Sequence, residues 1–488
     1  MTLSENSGNG GHSLSVIVPV YNERYLVPEL LRRIRAVTIP GIDRVEIIVI
    51  DDASKDGTSK VLDDLADGSF TLLRHEVNQG KGAALRTGIA EASGDFVIFQ
   101  DADLEYDPQD YHQMIRPFLE DGADVVYGSR FLVGGRRRVL YFRHSLGNRL
   151  ITLLSNLFTD LGLTDVETCY KAFRTPLLKS LPLRSNDFAI EPEITAKISK
   201  RRFRVFEVPI SYMGRTYQEG KKIGWRDGIK ALKAIARFWL QDDIYSADAY
   251  GSHILTSLEK TRRFNRWMAE AIGARVGSAP NVLEIGAGIG NITKWLIPRQ
   301  RYLASDINPN YLHYLTNFGF GKPYLEVQRI DLDKAEDFSG IERSFDAAVC
   351  LNVLEHVSDP DASLSNIFSA LKPGGVAVIY VPQDPKLYSP MDEVLGHRVR
   401  YTRKSLRQEM ERAGFRVESL EDFNRVSRFG WWWNCTTRGR VTFGKLQLKI
   451  FDLLVPLFKR IDRFLPWRGL GLIVVGRRPE GAGADPAA

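Results

Sequence analysis

Short apolar runs alternate with helix-like segments along most of this chain, in two separate series. The first series begins at Leu14 and contains the strand-like runs LSVIVPV, VEIIVID, FTLLRHE, DFVIFQD and ADVVYGS. The second follows a helical pattern at residues 262–272 and contains NVLEIG, RYLASD, YLEVQRI, FDAAVCL and GGVAVIYVP. Such alternation predicts a parallel sheet covered by helices, with ligands at the carboxyl ends of the strands. We therefore predict two α/β domains, each with its own ligand site.

The length of the chain agrees with two domains, because 488 residues exceed what one compact core usually holds. The run QDDIYSADAYG at residues 241–251 interrupts the hydrophobic pattern with acidic and small residues. We expect a first domain over residues 12–240 and a second domain over residues 250–478.

Charge and cysteine content limit the partners and the compartment. A formal net charge of +6 favours anionic partners such as nucleotides or phospholipid head groups. The three cysteines are far apart and lack metal-ligand spacing, which fits a reducing compartment. The first residues, MTLSENSGNGGHS, lack the features of a signal peptide, and no stretch approaches the roughly 18 apolar residues of a spanning helix. We expect a cytoplasmic protein that is peripheral on the cytoplasmic face of the membrane.

Four carboxylates crowd the segment FVIFQDADLEYDP at residues 96–108. Asp101 and Asp103 directly follow an apolar strand and, two residues apart, can face the same side of an extended chain. Two such oxygen donors beside a diphosphate suit Mg²⁺ or Mn²⁺. Glu105 and Asp107 fit a turn and a cap instead, because Asp-Pro after a strand is typical of both.

Five segments follow one another in the first half: SVIVPVYNE, IIVIDDASKDGT, NQGKGAALRTG, GDFVIFQDADLEYDP and YGSRF. Their order resembles family 2 glycosyltransferases, most closely the branch with dolichol-phosphate mannosyltransferase and bacterial polyprenyl-phosphate sugar transferases. The resemblance covers residues 12–240 and implies a GT-A-like domain that binds a nucleotide-sugar and a divalent metal, Mg²⁺ or Mn²⁺. It implies donor binding by Pro19, Tyr21, Glu23, Asp52, Lys81 and Asp101, metal binding by Asp101 and Asp103, and a catalytic role for Asp103.

The acceptor side carries further resemblance, in GNRLITLLSNLF, LTDVETCYKAFR and FAIEPEITAKISKR. These segments are similar to the branch that uses lipid phosphates. A phosphate acceptor is already an anion, so its attack needs positioning and charge neutralisation more than a general base. If the acceptor were a sugar hydroxyl, Glu191 or Asp165 would have to serve as the base. The resemblance implies an acceptor-phosphate site formed by Arg130, Arg149, Lys171 and Arg174, with Arg130 also catalytic.

The segment GWRDGIKALKAIARFWL at residues 224–240 predicts a helix with basic and apolar stripes. Arg226, Lys230, Lys233 and Arg237 form the basic stripe. A helix of this kind can lie in an anionic membrane interface, so a membrane surface is an expected partner. Packing on its own domain with a solvated basic face explains the pattern equally well.

In the second half, NVLEIGAGIGNIT predicts a strand followed by a glycine-rich turn that opens a helix. Glycines let the backbone approach a ligand closely, and Asp306 at the end of the next strand can bind ribose hydroxyls. These two features do not distinguish NAD from S-adenosylmethionine. With FDAAVCLNVLEHV and LKPGGVAVIYVP, however, residues 250–478 resemble a class I S-adenosylmethionine-dependent methyltransferase with a Rossmann-like fold.

This second resemblance implies S-adenosylmethionine as the methyl donor. It implies that Asp331 contacts the adenine, with Asp333 as the alternative for this contact. His356 and His397 are candidate bases for an acceptor hydroxyl, although a cap or a structural hydrogen bond explains His356 about as well. Near the end, FGWWWN and FGKLQLKIFDLLVPLFKRIDRFLP predict a packed amphipathic helix or a second lipid-binding surface. The implied binding residues for the methyl donor are Glu284, Gly286, Gly288, Asp306 and Asp331.

Together the two resemblances imply a bifunctional transferase of the cell envelope. Its first domain would transfer a sugar from a donor such as GDP-mannose or UDP-glucose to an acceptor, polyprenyl phosphate, and its second would transfer a methyl group. Two alternatives stay open: transfer to hydroxyls of a cell-surface polysaccharide, or one domain acting only as a binding module. The run NPNY at residues 308–311 is similar to the Asn-Pro-Pro-Tyr motif of nucleic-acid amino-methyltransferases, but that motif belongs after the fourth strand and NPNY follows the second. We therefore expect no nucleic-acid partner.

Overall fold

The structure is a computed structural model that describes residues 11–134, 138–139, 142–214, 225–241, 261–441 and 444–481. It divides into two compact units, Asn6–Ala247 and Asp248–Ala488. Each unit contains a seven-stranded sheet with helices around it. The α/β class predicted for both halves is therefore confirmed.

The sheet of the amino-terminal unit has the strand order β3-β2-β1-β4-β6-β5-β7. Strand β6 is antiparallel to β4 and β5, so the expectation of a wholly parallel sheet is wrong. Strands β6 and β7 come from the irregular basic part, where the sequence patterns predicted no strand. The strands are β1 (His12–Val20), β2 (Ile42–Asp51), β3 (Thr71–Arg74), β4 (Phe96–Phe99), β5 (Val125–Ser129), β6 (Lys171–Arg174) and β7 (Val205–Pro209).

Central strands of this sheet are covered on both faces, which explains their continuous apolar runs. All four residues of β4 are buried. Helix α3 approaches β1 closely at Gly88, where a Cβ would lie 2.5 Å from Ile17 Cγ2. The helices are α1 (Val27–Arg35), α2 (Thr58–Asp64), α3 (Lys81–Glu91), α4 (Tyr111–Glu120), α5 (Phe142–Thr159), α6 (Thr175–Lys179), α7 (Ile190–Lys200) and α8 (Trp225–Leu240).

The order of these strands creates a switch point between β1 and β4. From β1 the chain moves outward to β2 and β3, then returns to add β4 on the other side of β1. Connections therefore leave in opposite directions at the carboxyl ends of β1 and β4, and a crevice opens there. Tyr21, Asp52 and Asp101 all follow strands that end at this edge.

The carboxy-terminal sheet has the order β10-β9-β8-β11-β12-β14-β13, with its switch point between β8 and β11. Strand β14 is antiparallel to both of its neighbours, so this sheet is also mixed. Strands β13 and β14 were not predicted from the sequence. The strands are β8 (Asn281–Ile285), β9 (Arg301–Asp306), β10 (Leu325–Arg329), β11 (Phe345–Leu351), β12 (Leu371–Pro382), β13 (Arg416–Phe423) and β14 (Gly471–Arg477).

Local capping explains where several helices of this unit begin. The Asp359 side chain accepts hydrogen bonds from the backbone of Asp361 and Ala362, and Pro360 occupies the first helical position.

Of the helices in the described parts of the chain, none has the length and hydropathy needed to cross a bilayer. The helices are α9 (Arg262–Val276), α10 (Thr293–Leu296), α11 (Pro309–Gly319), α12 (Pro360–Ala370), α13 (Pro390–Leu395), α14 (Arg403–Arg412), α15 (Ser427–Trp431) and α16 (Lys445–Ile461).

Candidate functional sites

The carboxylates that follow β4 divide into two pairs. Asp103 Oδ1 accepts a hydrogen bond of 3.1 Å from the backbone N–H of Glu105. Glu105 in turn accepts one of 2.7 Å from the Tyr212 hydroxyl. Asp107 caps a short 3₁₀ helix by accepting from the backbone of Gln109, which confirms its predicted role in the turn. Asp101 and Asp103 are the pair that directly follows the buried strand.

A lysine lies beside the first of these carboxylates. Lys81 Nζ is 2.9 Å from Asp101 Oδ1 and 3.4 Å from Glu191 Oε1. Glu191 also forms an ion pair with the fully buried Lys171. Burial alone would lower the pKa of Lys81, but the negative charges of Asp101 and Glu191 raise it well above its usual value. Asp101, Lys81, Glu191 and Lys171 thus form a row of alternating charges, which we call the charge row.

Asp52 holds the loop that leads into α3. Its carboxylate accepts hydrogen bonds of 2.8 Å from the backbone N–H groups of Gln79 and Gly80. The same carboxylate lies 2.7 Å from His75 Nδ1. Gly80 has a φ of 94°, and a Cβ there would lie 2.5 Å from the carbonyl oxygen of Asn186. Asp52 therefore positions Lys81 through this loop, and its predicted contact with the donor stays a prediction.

The three remaining residues predicted to bind the donor lie at the carboxyl end of β1. Pro19 is within the strand, and Tyr21 and Glu23 follow it. This segment is joined to the one after β2, because the Thr58 hydroxyl accepts a hydrogen bond of 3.0 Å from the Glu23 backbone. These residues therefore lie at the same edge of the sheet as Asp101.

Arg130 is buried in a bidentate ion pair. Its Nε and Nη2 lie 2.6 and 2.7 Å from the two carboxylate oxygens of Asp165. The guanidinium also lies 5.1 Å from the centre of the Tyr212 ring. Asp165 and Glu191, the candidate bases for a hydroxyl acceptor, are thus both engaged by cations.

The other residues predicted to bind the acceptor phosphate occupy different places. Lys171 is fully buried and donates to Glu191 and to the Thr168 carbonyl. Arg149 lies exposed on α5. Arg174 pairs with Phe96 at the amino end of β4, and it donates to two backbone carbonyls there. The structure therefore does not bring Arg174 to the edge that carries Asp101, because antiparallel β6 runs away from it.

The sequence patterns also missed a buried carboxylate. Burial raises the pKa of Glu167 to about 7, and the charge of Glu191 acts in the same direction. Its Oε1 atom has no hydrogen-bond partner among the described residues. Glu167 is two residues from Asp165, the same spacing that drew attention to Asp101 and Asp103, so this signal was present in the sequence.

The residues predicted to bind the methyl donor come together in the carboxy-terminal unit. A cavity of about 910 Å³ is lined by all five of them, at the switch point between β8 and β11. Asp333, His356 and His397 line the same cavity.

The glycine turn after β8 is shaped by its neighbours. Gly286 has a φ of 73°, and a Cβ there would lie only 2.1 Å from Val353 Cγ2. Gly288 donates its N–H to Asp306 Oδ2 at 2.9 Å, and Asp306 Oδ1 accepts from the Asn308 backbone at 2.9 Å. Burial raises the pKa of Asp306. Asp306 therefore holds the turn in shape while it lines the cavity.

Glu284 lies in β8, just before this turn. Both the Thr293 and the Tyr302 hydroxyl donate to its Oε2 atom, at 2.6 and 2.8 Å. Burial raises the pKa of Glu284 to about 6. These two hydroxyls hold the carboxylate in one orientation against the cavity.

The two aspartates after β10 differ in what they contact. Asp333 accepts hydrogen bonds from the backbone and hydroxyl of Ser358 and from the Ser363 hydroxyl, so it holds the start of α12. Asp331 lies 3.6 Å from Arg329 in a surface ion pair. Asp331 is thus the carboxylate of the two that does not hold another segment.

Two histidines of the cavity wall lie close to a buried glutamate. His397 Nδ1 is 2.8 Å from Asp392, and His356 Nδ1 is 3.2 Å from the Gly396 carbonyl. The His356 contact is the structural hydrogen bond that one interpretation of the sequence predicted. Glu355 is fully buried, and burial raises its pKa to about 8.

Helical surfaces of both units expose apolar side chains. On α8, Lys230, Lys233 and Arg237 are exposed while Ile235 and Phe238 are buried, so this helix packs on its own unit. The side chains of Trp225 and Arg226 lie outside the described ones. The apolar stripe of α5, in which each residue is more than half exposed, consists of Leu146, Leu150, Leu153 and Leu157. The apolar stripe of α16, also half or more exposed, includes Leu446, Ile450, Leu453 and Leu457.

Comparison with known proteins agrees with two different transferase domains. Residues 15–181 match the family model for glycosyl transferase family 2, and residues 255–420 match a methyltransferase domain model. Undecaprenyl-phosphate 4-deoxy-4-formamido-L-arabinose transferase of Salmonella paratyphi A is 30% identical over 211 residues, which cover 43% of this chain and 62% of that protein. The chain thus spans less than two thirds of the length of this relative.

Solved structures resemble each half more distantly. Glucosyl-3-phosphoglycerate synthase from Mycobacterium tuberculosis, with Mn²⁺, UDP and phosphoglyceric acid, has 21% identity and a TM-score of 0.38, over 49% of this chain and 81% of its own. A chain from the complex of the Haloferax volcanii Trm112 methyltransferase activator with a methyltransferase has 16% identity and a TM-score of 0.36. The match covers 48% of this chain and 99% of that chain. The two family matches, each on a unit with its own sheet and site, show that this chain joins a family 2 glycosyltransferase domain to a methyltransferase domain, and that both are transferase domains.

Proposed function

We propose that the amino-terminal domain transfers a sugar from a nucleotide-diphosphate donor to polyprenyl phosphate, and that the carboxy-terminal domain transfers a methyl group from S-adenosylmethionine. The observation that carries the first part is the pairing of Asp101 with Lys81 beside Asp103, at the switch point of the sheet. This arrangement offers one carboxylate to a cation and one ammonium to a phosphate.

The residues present fit a divalent cation that arrives with its substrate. Mg²⁺ in such sites is held by one or two carboxylates together with substrate phosphates. Asp103 and Asp101 supply two, and Lys81 already neutralises part of the charge on Asp101. When bound, Mg²⁺ or Mn²⁺ would stabilise the negative charge of the departing diphosphate. Asp103 is therefore the main protein ligand in this proposal, and Lys81 contacts the diphosphate.

A lipid phosphate is the acceptor that the surroundings favour. A hydroxyl acceptor needs a general base within reach, but Asp165 and Glu191 are held by Arg130 and by two lysines. The relative from Salmonella is named for transfer to undecaprenyl phosphate. In this proposal Arg130 and Arg149 meet the acceptor, Lys171 acts through Glu191, and Arg174 takes no part.

The exposed stripe of α5 supports binding to a membrane surface. Its four leucines recur at helical spacing, and they belong to the same unit as the exposed lysines of α8. Helices α5 and α8 pack against each other, and apolar and basic groups on neighbouring helices suit the interface of an anionic bilayer, where the acceptor phosphate lies. We propose that the protein is peripheral on the cytoplasmic face of the membrane.

The cavity of the carboxy-terminal unit supports S-adenosylmethionine as the methyl donor. Its glycine turn allows close backbone approach, and Asp306 and Asp331 offer carboxylate oxygens to ribose and adenine. When bound, S-adenosylmethionine would supply the methyl group to an oxygen or nitrogen of the acceptor.

The decisive experiment incubates the full chain with Mg²⁺ or Mn²⁺, polyprenyl phosphate and a panel of nucleotide-sugars that includes GDP-mannose and UDP-glucose. We expect an acid-labile glycolipid that is lost in Asp103→Asn. Transfer to oligosaccharide hydroxyls without any glycolipid product would contradict the proposed acceptor. For the other domain, calorimetry should detect binding of S-adenosylmethionine, and its absence would contradict the proposed methyl donor.

A further inference from the structure

Two imidazoles in the wall of the methyltransferase cavity form a cluster with one buried carboxylate. One ligand atom from each of Glu355, His356 and His397 lies within 4.8 Å of the other two. Across the described parts of the chain, this is the only group of three or more such side chains that meets this criterion. From this cluster we infer that the methyltransferase domain holds a divalent transition-metal ion, bound by Glu355, His356 and His397, which binds an oxygen of the methyl acceptor.

The spacing between His397 and Glu355 suits two ligands of one ion. Nitrogen and oxygen ligands lie about 2.0–2.2 Å from such ions, so two ligands of one ion are about 3–4 Å apart. His397 Nε2 lies 3.8 Å from Glu355 Oε1, a distance too long for a hydrogen bond and within this range.

The carboxylate of Glu355 is the second, independent observation. The residue is fully buried, and neither of its oxygens has a hydrogen-bond partner among the described residues. A buried carboxylate without partners is costly, and such groups are usually paired or bound to metal. The nearby guanidinium of Arg400 donates to Asp392 and to the Gln383 carbonyl. A cation between Glu355 and the histidines would give this carboxylate its partner.

Outer contacts orient both imidazoles as metal ligands. Asp392 lies 2.8 Å from His397 Nδ1, which places the ring hydrogen on Nδ1 and the lone pair on Nε2, the atom nearer to Glu355. Asp392 is held in turn by Arg400 Nε at 2.9 Å. His356 Nδ1 likewise faces the carbonyl of Gly396 at 3.2 Å. An imidazole whose other nitrogen donates to a carboxylate or carbonyl is typical of metal sites.

The position of the cluster connects it to methyl transfer. Glu355 follows β11, and Gly286 follows the neighbouring β8, where it packs against Val353. His356 and His397 line the same cavity as the glycine turn. A bound ion would therefore share this cavity with the methyl donor.

The ligand set indicates the class of metal and of acceptor. Two imidazoles and a carboxylate suit ions such as Mn²⁺, Fe²⁺, Co²⁺ and Zn²⁺ better than Mg²⁺ or Ca²⁺. Three protein ligands leave coordination positions open for substrate. A hydroxyl bound there loses its proton to water, its oxygen forms the new bond to the methyl carbon, and the S–C bond breaks to leave a thioether. This acceptor role rests on the proposed methyl transfer, whereas the metal site does not.

Cobalt binding tests the site without any turnover. The full chain, freed of metal with a chelator, is titrated with Co²⁺ and followed by its visible d–d absorption. We expect one Co²⁺ per chain, and at least tenfold weaker binding in Glu355→Gln, His356→Gln and His397→Gln. His313→Gln, on α11 and outside the cavity wall, should bind like the unaltered protein. Equal affinity in all five proteins, or no binding by the unaltered chain, would overturn the metal site.

Two further measurements separate this inference from the proposed function. Calorimetry with S-adenosylmethionine on Glu355→Gln checks that the fold and the donor site persist. Acetohydroxamate, a bidentate oxygen ligand, should shift the d–d bands of the Co²⁺ protein by entering the open positions, and an unchanged spectrum would overturn the acceptor role. Binding of S-adenosylmethionine without any Co²⁺ site would refute the metal and leave the methyl donor intact.

Discussion

Lys81 places its ammonium group 2.9 Å from the carboxylate of Asp101, joining the start of α3 to the segment after β4. The crowded carboxylates after β4 therefore meet a positive group from their own chain. Asp52 fixes the loop in front of Lys81, and Glu191 contacts its other side. This relationship makes Lys81 the most informative residue to change in the glycosyltransferase domain.

Replacing Lys81 by methionine should lower the rate of sugar transfer by roughly 10²-fold, because the proposed donor site loses a preorganised positive group. Initial rates with the active nucleotide-sugar measure this effect. Lys60→Met removes an exposed lysine from α2 and should leave the rate unchanged. A folded Lys81→Met protein with full activity would contradict the role of the charge row.

The buried pair of Lys171 and Glu191 should be energetically coupled. Lys171→Met leaves Glu191 with one cation fewer, so we expect a loss of about 3–5 kcal/mol in the free energy of unfolding of this domain. Glu191→Gln in the same protein should recover at least about 1.5 kcal/mol of that loss. Urea unfolding of both single variants and of the double variant closes the cycle. Strictly additive effects would show that the pair is not coupled.

The free energy of unfolding should decrease as pH rises, because of the raised pKa of Glu167. Its unfolded pKa is near 4.5 and its folded pKa is about 7, raised by burial and by Glu191 and Asp165 against the opposing charges of Lys171 and Arg130. Between these values the folded chain binds the extra proton, so its stability falls as pH rises from about 4.5 to 7.

Glu167→Gln cannot titrate and isolates this effect. The variant should match the original protein near pH 4.5 and exceed it by roughly 1–3 kcal/mol at pH 8. Urea unfolding of both proteins at both pH values measures this difference in the free energy of unfolding. A gap that does not change with pH would contradict the raised pKa.

Gly286→Ala should weaken binding of S-adenosylmethionine at least tenfold. The new Cβ would lie 2.1 Å from Val353 Cγ2, and φ is positive there. Gly277 also has a positive φ but has open space around its Cβ position, so Gly277→Ala measures backbone strain alone. Adding Val353→Ala to Gly286→Ala removes the clash and should recover part of the lost thermal stability. Calorimetry and thermal unfolding report both effects, and equal behaviour of the two alanine variants would exclude the clash as the cause.

The apolar stripe of α5 should be needed for binding to membranes and not for folding. Leu150→Glu places a charge in the middle of this exposed stripe and should reduce binding to anionic vesicles severalfold. Phe320→Glu changes an exposed apolar residue of the other unit and should have no effect. Vesicle sedimentation compares the two variants, and equal binding would remove α5 from the membrane surface.

Local patterns in the sequence determined the two α/β units, most of the strands that line both switch points, and the carboxylates and glycines at their ends. Strands such as β4 are continuous apolar runs with polar residues directly after them, and this signal needs no distant partner. The five residues predicted for the methyl donor were brought into one cavity for the same reason.

Only the tertiary structure decided what lies between and against these segments. Antiparallel β6 carries Lys171 toward the edge with Asp101 and Arg174 away from it, and alternation of strands and helices does not reveal the direction of such an inserted strand. Lys81, Glu191 and Lys171 come from three separate elements, so their charges meet only after folding. The same holds for His397, which follows Glu355 and His356 by three further elements, α12, β12 and α13. Ion pairs and ligand clusters depend on distances across the fold, and spacing along one chain does not encode them.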